Sequence, residues 1–175
     1  MAGDIKMKYV ASSAPTVTAL HSLASSQDWT AGWVGNSINN TANAYQDYML
    51  SGTFTTHASN RQAGFIFVYI IAALNDTPTW PATASGTIGT EGALSFTDIE
   101  ERDSLCRLLI PAIQVDNSAS AIYTFPPTCI SALFGGRIPP YFAPFVAQNC
   151  STTTTAGLAA AGSALYLTPI LDQYT

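Results

Sequence analysis

Apolar and polar positions along this chain follow the period of strands far more often than that of helices. The stretch that dominates the pattern is GFIFVYIIAAL, residues 64–74. An apolar run of this length suits a buried helix segment or a strand buried on both faces. Its residues decide for the strand: Phe65, Ile66, Phe67, Val68, Tyr69, Ile70 and Ile71 are all β-branched or aromatic. A membrane-spanning helix needs about 20 apolar residues, so the run is too short for one. It is expected to be the central strand of a sheet.

The remaining segments predict shorter elements around it. Residues 16–23 alternate, with Val17, Ala19, His21 and Leu23 on one face, which predicts a weak strand. Residues 27–43 are turn-rich and carry Trp29 and Trp33. Residues 44–56 alternate more strongly, and Gly52 inside them marks a bulge or kink. Residues 75–93 predict a long loop around Trp80. Structureless loops of that length are often functional or contact-making. Charge gathers in residues 96–104, which predict a helical turn or a solvated strand edge.

In the apolar run 105–115, Pro111 indicates an edge strand or a bulge. Residues 121–125 predict a short strand stopped by Pro126 and Pro127. Residues 128–134 predict one helical turn, capped by Thr128 and ended by Gly135 and Gly136. Residues 141–149 form the next strand, and 151–155 a threonine-rich loop. Residues 162–171 form the last strand, which Pro169 assigns to an edge or terminal position. Residues 1–15 show little periodicity and are expected as an N-terminal arm, reaching a neighbour or fraying.

Seven or eight strands separated by turn signals, with no amphipathic helix, predict an all-β fold. The expected architecture is a jelly-roll-like β-sandwich of about eight antiparallel strands, a single domain over residues 16–175 behind the arm at 1–15. Long loops, and the missing Cys–Trp–Cys signal, favour it over an immunoglobulin-type sandwich.

Composition adds one feature. Apolar residues make up 47% of the 175, but charged residues only 10%, against about 25% in ordinary soluble domains. Such a surface suits a subunit covered by protein neighbours, since charge is depleted from interface cores. A plain secreted or viral β domain is the alternative. The net charge is −5 and the six basic residues are scattered, so no nucleic-acid partner is expected. The three cysteines, Cys106, Cys129 and Cys150, are widely spaced and odd in number. They are expected as free thiols, with neither a zinc site nor a disulfide framework. The opening residues lack the basic flank and apolar core of a signal peptide, so folding in a cytoplasm is expected.

Candidate chemistry is sparse. The two histidines, His21 and His57, have no recognisable nucleophile partner, and the GxSxG, HExxH and P-loop patterns are absent. Asp98, Glu100, Glu101 and Asp103 are close enough to suggest a carboxylate pair, but such a cluster reads first as a solvated face or helix start. No catalytic residue, cofactor or metal is predicted. Trp29, Trp33 and Trp80 fall in turn-rich segments. They either fold back over the core, anchor a protein interface or stack on sugars.

Several stretches carry a resemblance: YQDYMLSGTFTT (45–56), FVYIIAAL (67–74), DTPTWP (76–81) and FPPTCISALFGGRIPPYFAPFVAQN (125–149). Together they resemble a family of small virion structural proteins of tailed bacteriophages, over roughly residues 28–171. The motifs are structural and bring no active-site residues. The resemblance implies a capsid cement or decoration subunit that binds and stabilises the lattice of the major capsid protein. It would also contact copies of itself, as a trimer, on a virion assembled in the host cytoplasm, with no nucleic-acid or membrane partner. A tail or connector station, or a lectin-like glycan-binding module on the particle, is the alternative. The expected contact residues are Trp29, Trp33, Trp80, Pro81, Thr153 and Thr154, with the arm.

Overall fold

Residues 64–73 do form an extended strand, and it lies inside a sheet, one place from the middle. The computed structural model describes residues 4–73, 79–84, 88–152 and 155–174. In chain order the elements are β1 (Ile5–Tyr9), β2 (Ala31–Val34), β3 (Ile38–Asn39), β4 (Asp47–Thr55), β5 (Gly64–Ala73), β6 (Gly92–Ser95), α1 (Ile99–Leu105), β7 (Cys106–Leu108), β8 (Ile113–Val115), β9 (Ile122–Cys129), β10 (Tyr141–Gln148) and β11 (Ala164–Tyr174).

Two antiparallel sheets contain these strands. The first has the order β1-β11-β4-β9 and the second β6-β2-β10-β5-β7. β3 continues β2 along β10, and β8 accompanies β7 along β5. Counting each such pair as one interrupted strand, the pairing is nested: β1 with β11, β2/β3 with β10, β4 with β9, and β5 with β7/β8. This is one long multi-stranded hairpin rolled into two layers, the jelly-roll arrangement, with β6 added outside β2. The expected all-β sandwich is therefore the fold.

The unbroken apolar run follows from burial on both faces of β5. Ile66, Val68 and Ile70 point between the sheets and join Trp33, Leu50, Phe54, Phe125 and Leu165 in the main core. Tyr69 and Ile71 point the other way, into a second core with Phe96, Cys106 and Phe145. The long connection from β5 to β7, carrying β6 and α1, supplies Ala84, Ile88, Leu94 and Phe96 to this second core. The second sheet is thus covered on its outer side. The first sheet has no comparable cover among the described residues.

Prolines explain several departures from expectation. β11 lies between β1 and β4, not at an edge, in spite of Pro169. The Pro169 carbonyl accepts from Val10 N at 2.9 Å. Its missing N–H therefore faces the point where the chain leaves β1. Pro144 in central β10 accepts from Gly35 N, at the break between β2 and β3. Each proline sits opposite an interruption, so little ladder is lost. β9 runs on through Pro126 and Pro127 because it is an edge strand, and the register slips opposite Leu50 and Gly52. Gly52 thus marks the bulge it suggested. Pro111 splits residues 105–115 into β7 and β8.

Other expectations are corrected. Residues 16–23 are not a strand but a turn, with Leu20 N and His21 N both donating to Val17 O. Residues 5–9 of the expected arm are a strand of the first sheet. Thr128 lies in β9 and caps nothing; the short 3-10 turn begins at Ser131 and ends at Gly135 with φ +69°. Residues 96–104 resolve to α1, whose N-cap Asp98 accepts from Glu101 N.

Candidate functional site

The expected contact residues part company. Trp33 is in β2 with no exposed surface, and its indole Nε1 donates to Glu91 Oε2 at 3.1 Å. It is a core residue, which corrects the expectation of an interface role. The turn-rich segment around it gave no hint of a strand, nor of an acceptor so distant in sequence. Trp29 is half-buried and packs edge-on against Phe67, ring centroids 5.1 Å apart. It closes the end of the second core. Thr153 and Thr154 lie outside the described residues.

Trp80 and Pro81 do come together on a concave surface. With Ala72, Leu105, Arg107 and Phe134 they line a cleft of about 450 Å³. Three elements build it: the end of β5, the junction of α1 with β7, and the 3-10 turn before β10. Gly135 in the left-handed region ends that turn tightly and leaves Phe134 at the cleft. The walls are mostly apolar and aromatic, and Arg107 brings one cation. The shape and lining of the cleft suit an apolar or flat group, and Arg107 suits an adjacent anion. Phe134 and Leu105 were not singled out from the sequence, since no local pattern connects them to Trp80.

The second surface is broad. On the outer side of the first sheet, Met49, Ser51, Thr53 and Thr55 of β4 lie beside Thr168 and Tyr166 of β11 and Thr124 and Ile122 of β9. No residue among 49–55, 122–129 and 164–170 is charged. Ile122 and Tyr166 are exposed. Beyond them the face continues through Tyr9, Met7 and Ile5 of β1, which share it by register with the buried Ile170 and with Asp172.

Both histidines and most of the clustered acids are engaged in holding the fold. His21 Nε2 is 3.0 Å from Ser163 O, and His57 Nδ1 accepts from Ser59 N and Asn60 N. Glu101 accepts from Thr97 N, next to the Asp98 cap. Asp103 pairs with Arg102. Burial pushes the Cys106 and Cys150 thiols up to about 12. Among the described residues no three His, Cys, Asp or Glu side chains group as metal ligands, and no helix is long and apolar enough to cross a membrane.

No protein-family model, curated protein or solved structure matches the chain. The two surfaces are the features of the molecule that bear on function. The broad face offers area and little charge, and the cleft offers depth and aromatic walls.

Proposed function

We propose that this chain is a structural subunit of a bacteriophage virion, a capsid cement or decoration protein that binds the major capsid protein lattice and copies of itself. The observation that carries the reading is the asymmetry of the sandwich. One sheet is roofed by its own connection, while the other presents a face of Ser, Thr, Met, Ile and Tyr side chains that is uncharged over residues 49–55, 122–129 and 164–170, with Asp47 and Asp172 at one end. Charge depletion is what protein interfaces show at their cores. A stable contact of this type buries about 1,200–2,000 Å². On a capsid, each such contact adds free energy that opposes outward strain on the lattice. The jelly-roll arrangement, common among capsid proteins, agrees with this. The test is mass spectrometry of gradient-purified particles made by the genome that encodes the chain. Detection in stoichiometric amount is the expected result; absence removes the reading. A particle reconstruction would then distinguish capsid, connector and tail stations.

The Trp80 cleft favours a second reading, a lectin-like module that holds a glycan against the indole. A glycan array with Trp80→Ala as control tests it. A sugar-dependent signal lost in the variant supports it, and no signal rejects it.

A further inference from the structure

β1 is exposed on both faces along its whole length. One face carries Ile5, Met7 and Tyr9, which are 60%, 64% and 57% exposed. The other carries Lys6 and Lys8, the only lysines of a chain whose net charge is −5. β1 is also the outermost strand of its sheet. Val10 N donates to Pro169 O. Because positions alternate along an antiparallel ladder, the N–H and C=O groups of Ile5, Met7 and Tyr9 point away from β11. Among the described residues they form an open row of donors and acceptors, bordered by an apolar stripe on one side and a basic stripe on the other.

From this arrangement we infer that β1 receives an extended segment of another protein, with acidic and apolar residues in alternation. Such a segment adds a strand to the sheet through main-chain bonds. Its apolar side chains cover Ile5, Met7 and Tyr9, and its carboxylates stand opposite Lys6 and Lys8, where opposite-charge cross-strand pairs are favourable. The charge pattern selects against a second copy of this chain. Antiparallel pairing of two β1 strands about Met7 places Lys6 opposite Lys8 of the copy, and like charges directly opposite are destabilising. Lysines on an open edge are a known guard against self-pairing. Here they leave an acidic partner strand as the fitting occupant. The inference uses β1 alone, not the virion reading, which particle composition tests separately.

The experiment uses the full chain and a fluorescent, end-capped peptide of alternating valine and glutamate, with its lysine-for-glutamate counterpart. Anisotropy should show binding of the glutamate peptide, and binding of the lysine peptide weaker by about tenfold or more, since two cross-strand pairs change sign. The double variant Lys6→Glu, Lys8→Glu should invert that preference. Met7→Pro removes one outward N–H without touching the β11 ladder and should abolish binding, whereas Met7→Ala should retain it. Circular dichroism of each variant establishes that it is folded. The inference is overturned by no binding of either peptide, by equal binding of both, by an unaffected Met7→Pro variant, or by a β1-dependent dimer in sedimentation.

Discussion

The Arg102 guanidinium lies 5.2 Å from the centroid of the Tyr69 ring and holds the outer layer against the second sheet. Its Nη1 donates to the carbonyls of Asp28 and Trp29 at 3.1 and 3.3 Å, and its Nε and Nη2 donate to Asp103 at 2.9 and 2.7 Å. Arg102 is almost fully buried, while the Asp103 side chain is 58% exposed. The carbonyl bonds and the stacking therefore matter more than the ion pair. Arg102→Met should lower stability by about 1–3 kcal/mol, the scale of hydrogen bonds from a charged donor. Arg102→Lys should restore less than half of the loss, because an ammonium lacks the planar fork. Urea unfolding of the three proteins measures this, and full rescue by lysine would refute it.

Two glycines in neighbouring strands should respond in opposite ways to alanine. A Cβ on Gly32 of β2 would collide with Val146 O on β10, whereas one on Gly92 of β6 would meet nothing within 4 Å. Gly32→Ala must push β2 away from β10 and should cost about 1–3 kcal/mol or more, on the scale of overpacking. Gly92→Ala should fall within about 0.5 kcal/mol of wild type, as surface substitutions do. Thermal melts compared in one buffer decide between these outcomes.

Stability should also depend on acid through Asp116. Its carboxylate accepts from Tyr123 OH at 2.6 Å and Ser118 N at 2.8 Å. These bonds, the tyrosine's first, hold the carboxyl below its ordinary value. A carboxyl depressed on folding contributes stability that is present above its unfolded pKa and is lost as pH falls through the folded one. Asp116→Asn should therefore lose less stability on acidification than wild type does. The difference should vanish well below the carboxylate range. Urea midpoints across a pH series show whether the two curves converge in this way.

The thiols should be inert in the native state. Cys106 and Cys150 are buried, which pushes each to about 12. Cys129 is partly exposed, and its thiol is raised by desolvation and then by the Asp47 carboxylate. Since the thiolate is the reactive form, slow modification confined to Cys129 is expected at mildly alkaline pH. All three should react at once in denaturant. Peptide mapping after timed alkylation gives the order, and early labelling of Cys106 or Cys150 would contradict the packing described.

How far the sequence alone reaches depends on how local the deciding interaction is. β5 was legible because both its faces are covered, which leaves an uninterrupted signature in one stretch. Gly52 was legible because a bulge is a local matter. The standing of β11 was not: Pro169 argues for an edge, and only the departure of the chain at Val10, far away in sequence, makes it acceptable in the middle of a sheet. β1 was missed for a different reason. It buries nothing, so the alternation of Ile5, Met7 and Tyr9 with two lysines has no core partner to give it meaning. Trp80 and Pro81 were singled out through their loop composition, but the cleft they line depends on Phe134 and Leu105, which only the tertiary fold delivers. Trp33 misled because the few residues of β2 are too short a stretch to display a period.

The nested pairing places Ile5 opposite Tyr174, and β11 bonds both β1 and β4. A chain emerging from the ribosome carries β1 and β4 long before the strand that joins them exists. Neither can settle until nearly everything between has been synthesised, and loops of that span close slowly. Completion of this layer therefore waits for β11, and removal of β11 would unzip the layer from its middle instead of trimming its rim.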